Sequence, residues 1–217
     1  VTTEMAKAVA ESYGAKCYDT FTGFKFIAEK KNALESTGEG KVLLSYEESY
    51  GYMAGDYVRD KDAVTASLLL TEMAAYYADK GMTVLEALQE LYNKHGWYGE
   101  KTHNLVMPGL GGLADMAKLM KSLRETPPAE ISGVKVVQFK DYADGSVTDL
   151  ATGAKSTMEL SGSNVLRFEM ADGTSVIVRP SGTEPKVKVY VLTKGADAAG
   201  RDANLKKYAD WVETLKK

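Results

Sequence analysis

The chain has 217 residues, 44% hydrophobic and 26% charged, with 20 Gly and 5 Pro. That composition excludes a disordered, collagen-like or low-complexity polymer, and the length is enough for one large domain or two ordinary ones with cores of their own. The 27 Lys and Arg against 30 Asp and Glu leave a net charge of −3, so there is no global basic footprint for nucleic acid. No apolar run reaches the roughly 18 residues of a membrane span. Cys17 is the only cysteine, which excludes an internal disulfide and a thiolate metal cluster and fits a reducing, cytoplasmic setting.

The chain opens at Val1 without a methionine and enters a helical pattern at once, which reads as a fragment of something longer. Residues 3–13 predict a short amphipathic helix with Gly14 as its C-terminal cap. Thr20 to Gly23 is a turn, and Phe24 to Leu34 is helical. Gly38-Glu39-Gly40 breaks that helix. Val42-Leu43-Leu44 predicts a short buried strand, followed by a polar, tyrosine-rich loop from Tyr46 to Gly55. Asp60 or Asp62 can cap a helix running to about Lys80. Its middle, Ala63 to Tyr77, is apolar nearly all round, which predicts a helix sandwiched inside a domain. Thr83 caps the next helix, which places Val84, Leu88, Leu91 and Tyr92 at core spacing and ends at His95-Gly96.

The pattern changes after Gly96. His103 to Met107 is strand-like, and Leu110, Leu113, Ala117, Met120 and Leu123 mark a helix face before the hard break at Pro127-Pro128. Strand candidates follow at Val134–Phe139, Val165–Met170, Ser175–Arg179 and Lys186–Leu192, with Asp144-Gly145 and Asp172-Gly173 as turns. A last helix, about Ala196 to Lys216, buries Leu205, Tyr208, Trp211, Val212 and Leu215. The boundary is placed near Gly96, giving domains over 1–95 and 96–217. Helices alternating with a strand read as α/β in the first. A run of strands with one helix before and one after reads as α+β in the second.

Ser175 to Leu192 is the most informative stretch. Two strands flank a loop, Pro180 to Pro185, with Arg179 closing the first strand and Lys186 opening the second. Ser181 and Thr183 supply hydroxyls, and Gly182 lets backbone amides turn inward. Amides, hydroxyls and a guanidinium able to bind two oxygens are what a phosphate needs. Pro, Ser, Gly and Thr are also what an ordinary hairpin turn uses, so spacing alone leaves both readings open. There is no Walker loop and no dinucleotide fingerprint.

In the first domain, Tyr46-Glu-Glu-Ser-Tyr-Gly51 follows the predicted strand. Its carboxylates and serine could bond sugar hydroxyls or form a solvated acidic loop. Thr22-Gly-Phe-Lys25 sits at a loop-to-helix junction. A lysine near a helix N-terminus opposes the helix dipole, a cost that an anion there would offset; an exposed lysine is the other reading. Asp60 and Asp62 are read as helix-start residues. Asp141 and Asp144 are read as turn formers, because wrapping a hard cation would need carboxylates at alternate positions. His95 and His103 do not make a metal pair on one helix face.

Arg179-Pro-Ser-Gly-Thr-Glu-Pro-Lys186 resembles the phosphate-binding loop in the last domain of the α-D-phosphohexomutases, the phosphoglucomutase/phosphomannomutase family. Glu47 and Ser49 match that family's Glu-x-Ser motif, which reads hexose hydroxyls in the third domain, and Thr22-Gly-Phe-Lys25 resembles a segment beside the substrate. Tyr46 and Tyr50-Gly51 stand where the family often has Gly and Gly-His, a departure that resembles its glucose-type and mixed phosphoglucomutase branch. The resemblance runs from Val1 to Lys217. It implies phosphate contacts from Arg179, Ser181, Gly182, Thr183 and Lys188, and sugar contacts from Glu47, Ser49 and Lys25.

The implied fold is an incomplete third α/β domain, a mixed sheet with helices, followed by a fourth, small α+β domain with an antiparallel sheet and two helices, TATA-binding-protein-like. The implied parent is a cytoplasmic enzyme. It interconverts hexose 1-phosphate and hexose 6-phosphate, of glucose or mannose type, through a phosphoserine and a bisphosphate intermediate. The family's phosphoserine segment and its Asp-x-Asp-x-Asp loop for Mg²⁺ lie in domains 1 and 2, and neither motif occurs in this chain. The chain is therefore expected to position substrate, to lack catalytic residues and metal ligands, to be inactive alone, and to partner domains 1 and 2. The alternatives are a stand-alone phosphosugar-binding module, and a protein-interaction domain presenting Tyr46, Tyr50, Tyr52 and Tyr57. Neither nucleic acid nor membrane is an expected partner.

Overall fold

The computed structural model describes residues 1–182 and 184–215. The chain divides into two compact units, Val1–His95 and Gly96–Lys217.

The first unit holds α1 (Met5–Ser12), α2 (Phe24–Thr37), β1 (Leu44–Glu47), β2 (Gly51–Ala54), α3 (Ala63–Asp79) and α4 (Val84–His95). Helix ends follow local chemistry. Gly38 takes the left-handed conformation at the end of α2, and the Asp62 side chain accepts from the Val64 amide at the start of α3. Thr83 and Glu86 exchange bonds at the start of α4: the Thr83 amide donates to Glu86 Oε2 (2.7 Å) and the Glu86 amide to Thr83 Oγ1 (3.2 Å). This is a capping box, satisfying two donors the helix leaves orphaned.

Three expectations change here. The predicted tyrosine-rich loop is a hairpin, with β1 and β2 antiparallel and Tyr46 stacked across from Tyr52 at 6.2 Å between ring centroids. The predicted buried strand at Val42–Leu44 is not buried: Leu43, just ahead of β1, is 70% accessible, and Leu44, its first residue, 50%. The helix expected to be sandwiched, α3, has no buried residue, and Val64 and Leu68 are 81% and 59% accessible. The reason is area. A 17-residue helix is about 25 Å long, whereas each of the two four-residue strands spans only about 13 Å.

The second unit holds β3 (Trp97–Val106), α5 (Gly112–Glu125), β4 (Glu130–Ile131), β5 (Val134–Asp141), β6 (Ser146–Asp149), β7 (Lys155–Thr157), β8 (Leu166–Met170), β9 (Ser175–Pro180), β10 (Lys186–Gly195) and α6 (Ala198–Thr214). Its strands form one eight-stranded sheet in the order β3-β10-β9-β8-β5-β6-β7, with β4 pairing β5, and every pairing is antiparallel. Alternation along the strands sorts the residues. Val189, Val178 and Leu166 share one row, and Val191, Val176, Phe168 and Phe139 the next. This face packs with Met120 and Leu123 of α5 and Tyr208 and Val212 of α6 into a single core. Each such side chain contributes about 1.5–3 kcal/mol by burial. Leu110 and Leu113, assigned to that helix face from sequence, are exposed instead: Leu110 precedes α5, and Leu113, seven residues before Met120 and so on its side of the helix, stands in the first turn, ahead of the residues from Met116 onward that pack on the core.

On the other face, Lys140 Nζ and Arg167 Nε pair with Glu169 Oε1 at 2.7 and 2.8 Å, and Ser175 donates to Glu169 Oε2. Burial alone would raise the Glu169 carboxyl; the Arg167 charge and the bonds from Lys140 and Ser175 outweigh it and hold it below its usual range. Tyr208 donates to Asp172 Oδ2 at 2.8 Å, tying α6 to the β8–β9 turn.

Candidate functional site

In the second unit, β9 and β10 pair from Ser175 to Pro180, with Arg179 opposite Lys188. The connector closes tightly. The Ser181 amide donates to the Lys186 carbonyl at 2.9 Å, and the Lys186 amide to the Glu184 carbonyl at 2.7 Å. The Glu184 amide donates to Ser181 Oγ at 3.3 Å, and Lys186 Nζ meets Glu184 Oε2 at 2.5 Å. The Met107 amide donates to the Pro185 carbonyl, which anchors the connector to the end of β3. At Gly112 a Cβ would sit 2.1 Å from the Met107 carbonyl oxygen and 3.1 Å from Pro185, so this approach of α5 requires glycine.

Beside the connector lies a cavity of about 500 Å³. Arg179, Pro180, Ser181 and Gly182 line one side, Met116, Ala117 and Met120 of α5 another, and Ser163 and Asn164 the rest. The Arg179 Nε is buried. Three of the sequence-predicted phosphate residues, Arg179, Ser181 and Gly182, thus meet at one cavity. Lys188 stands across from Arg179 in register but is not among the lining residues. Thr183 lies outside the described residues. Two details differ from expectation. The Ser181 amide is spent on closing the hairpin. Gly182 does not use a left-handed conformation, and a Cβ there would meet nothing within 4 Å. Its smallness leaves room in the cavity rather than enabling a turn.

Ser163 and Asn164 were not singled out from sequence. Gly162-Ser163-Asn164 reads as turn composition ahead of a strand, and only tertiary structure brings it to the connector. The Ser163 amide donates to the Tyr142 carbonyl (3.0 Å) and the Tyr142 amide to the Val165 carbonyl (2.9 Å). Asp141, 4% accessible, is a structural anchor, accepting from Arg124 Nε at 2.5 Å and from the Ala143 amide at 2.9 Å.

In the first unit, Glu47 ends β1, and its Oε1 accepts from the Gly23 amide at 2.8 Å. Gly23 is the N-cap of α2 with φ 122°, a conformation that suits glycine. Glu47 therefore caps α2 from a distance, a favourable placement of negative charge at a helix N-terminus. Glu47 thus places one carboxylate at the terminus near which Lys25 stands, and Lys25 Nζ lies 4.7 Å from the centre of the Phe26 ring. Ser49 is exposed in the turn joining β1 to β2. Burial, reinforced by Cys17 and Asp19, pushes the Tyr46 phenol up to about 12.

Behind this hairpin, Lys31 is buried and pairs with Glu35 at 2.5 Å and Asp56 at 3.1 Å, while Arg59 pairs with Glu35 at 2.7 Å. These pairs hold the β2–α3 connection against α2. Among the described residues, no group of three or more His, Cys, Asp or Glu is gathered to hold a metal. Among them, too, no helix is long and apolar enough to cross a membrane.

Residues 1–95 match the family model described as phosphoglucomutase/phosphomannomutase, alpha/beta/alpha domain III, and residues 116–203 match that of the phosphoglucomutase/phosphomannomutase C-terminal domain. The chain belongs to the phosphoglucomutase/phosphomannomutase family. It is 34% identical over 197 residues to a phosphoglucomutase of Staphylococcus aureus (strain N315), covering 91% of this chain and 35% of that protein. It is 33% identical over 190 residues to one of Staphylococcus saprophyticus, covering 88% of this chain and 34% of that protein. The chain thus spans about a third of the length of these relatives. Its fold matches the open form of pp63/parafusin, a phosphoglucomutase from Paramecium, with a TM-score of 0.62, 21% identity, and coverage of 99% of this chain and 35% of that one.

Proposed function

We propose that this chain is the substrate-positioning portion of a phosphosugar mutase that interconverts hexose 1-phosphate and hexose 6-phosphate through a phosphoserine and a bisphosphate intermediate. The observation that carries the reading is the cavity beside Arg179, Ser181 and Gly182. In this reading residues 96–217 hold the phosphate that is not being transferred. Arg179 supplies a two-pronged guanidinium and Ser181 a hydroxyl, charge-assisted contacts suited to a phosphate dianion. Residues 1–95 present Glu47 and Ser49 to sugar hydroxyls, and Glu47, bonded to Gly23, fixes the hairpin against α2 at the same time. Lys25 and Lys188 are the outer members of the set, and Thr183 belongs to it by motif alone. None of these groups makes or breaks a bond; they contribute by orientation.

Bond-breaking is left to a phosphoserine and a Mg²⁺ site supplied by the partner domains of the parent. The chain alone, given glucose 1-phosphate, then forms no glucose 6-phosphate, and in the second unit the ligand shifts backbone amides near residues 163–164 and 179–188. Turnover by the purified chain, or shifts in that unit that avoid these residues, would reject the reading.

A further inference from the structure

We infer that Asn164 is a phosphate-contacting residue of this cavity, and that Arg124 is the positioning residue that turns its amide group toward the anion. The inference rests on the phosphate reading above and extends it to a wall of the site that the motif does not include.

A guanidinium only donates, and an asparagine side chain has one accepting oxygen and one donating nitrogen. Arg124 Nη2 lies 2.7 Å from Asn164 Oδ1, so the oxygen end is the one that faces Arg124. Asn164 lines the cavity and Arg124 does not. With Oδ1 engaged by Arg124, the polar atom the Asn164 side chain still offers is Nδ2, a donor, which is the polarity an anion requires.

Arg124 is itself fixed. Its Nε donates to Asp141 Oδ2 at 2.5 Å and its Nη2 to Asp141 Oδ1 at 3.4 Å. Asp141 is almost wholly buried at the end of β5, and its Oδ1 also accepts from the Ala143 amide. The backbone adds a second constraint, because the Gly162 and Ser163 amides donate to the Ala143 and Tyr142 carbonyls. Asn164 is thus held from both its side chain and its neighbouring backbone, opposite a connector that offers Arg179 and Ser181. A tetrahedral anion accepts from several directions at once, and donors on two walls bind it better than donors on one.

The test titrates the 217-residue chain with inorganic phosphate by calorimetry. Asn164 is exposed, so its variants should fold, and circular dichroism checks this. Asn164→Leu keeps the size and removes the donor, and should weaken binding about ten- to hundredfold. Asn164→Asp keeps the shape, replaces the donor with a charged acceptor, and should weaken it further. Arg124→Lys keeps a charge for Asp141 but loses the fork. It should weaken binding in the native background and add nothing in the Asn164→Leu background, a coupling that a merely structural role would not produce. If Asn164→Leu binds within twofold of wild type while Arg179→Ala does not, the Asn164 inference is wrong and the phosphate reading stands. Equal losses from Arg124→Lys in both backgrounds overturn the positioning role. No binding by wild type at millimolar phosphate overturns both the inference and the reading beneath it.

Discussion

The two units carry apolar residues to different ends. In the second, Val187, Val189 and Val191 alternate along β10, the last two opposite Val178 and Val176, and all are wholly buried in the core with α5 and α6. In the first, α3 is richer in apolar residues than α6, yet leaves Val64, Leu68, Leu70 and Tyr76 in contact with solvent. Buried apolar residues there are few: Phe24, Leu34, Met53 and Ala87. Apolar content alone does not make a core; an opposing layer of matching area does. The first unit relies more on polar ties, with Lys31 pinned between Glu35 and Asp56 and Glu47 capping α2. In both units the core of the candidate set, Glu47 and Ser49 in the first and Arg179, Ser181 and Gly182 in the second, sits at the end of a hairpin strand or in its turn.

The contrast can be broken in four places. The largest effect should come from Phe168→Ala, which removes a fully buried ring and should cost about 3–5 kcal/mol in urea unfolding of the second unit. A loss below about 1 kcal/mol would mean the core is not continuous.

Next comes acid. Glu169 is held below its ordinary carboxyl value, so its contribution is present above that value and fades as pH falls through the folded one. Thermal unfolding between about pH 5 and 3 should therefore show a shallower pH slope in Glu169→Gln than in wild type. An unchanged slope would place the acid sensitivity elsewhere.

Thr83→Ala, which opens the capping box of α4, should cost about 1 kcal/mol, read as lost helicity and a lower midpoint for the first unit. Smallest is Leu68→Gln on α3, expected within about 0.5 kcal/mol of wild type because the side chain is already exposed. A cost above about 2 kcal/mol would show that Leu68 is covered in solution.

Much of this was legible in the sequence, for local reasons. Gly38, Asp62, Thr83 and the Pro127-Pro128 break announced helix ends because capping depends on neighbouring residues. The strands Ser175–Pro180 and Lys186–Gly195 stood out as apolar alternation around a turn. What failed to show was long-range. The strand β3 begins at Trp97, well before the predicted His103, because its first half is held by pairing with the far end of β10. The short strands β6 and β7 are too polar to announce themselves and exist through their pairing with β5 and with each other.

The candidate site divides in the same way. Arg179, Ser181 and Gly182 are contiguous and readable as a motif. Ser163 and Asn164 reach the cavity only because β8 lies beside β9. The Glu47–Gly23 bond joins residues 24 positions apart, which no local pattern could announce.

Whether the second unit holds a phosphate between the Arg179 connector and the Ser163–Asn164 segment is tested most directly by crystals of the chain grown with glucose 1-phosphate. The expected result is phosphoryl density in that cavity, within hydrogen-bond distance of the Arg179 guanidinium, the Ser181 hydroxyl and the Asn164 amide. A saturating ligand bound elsewhere on this unit, with the cavity holding only water, would contradict it.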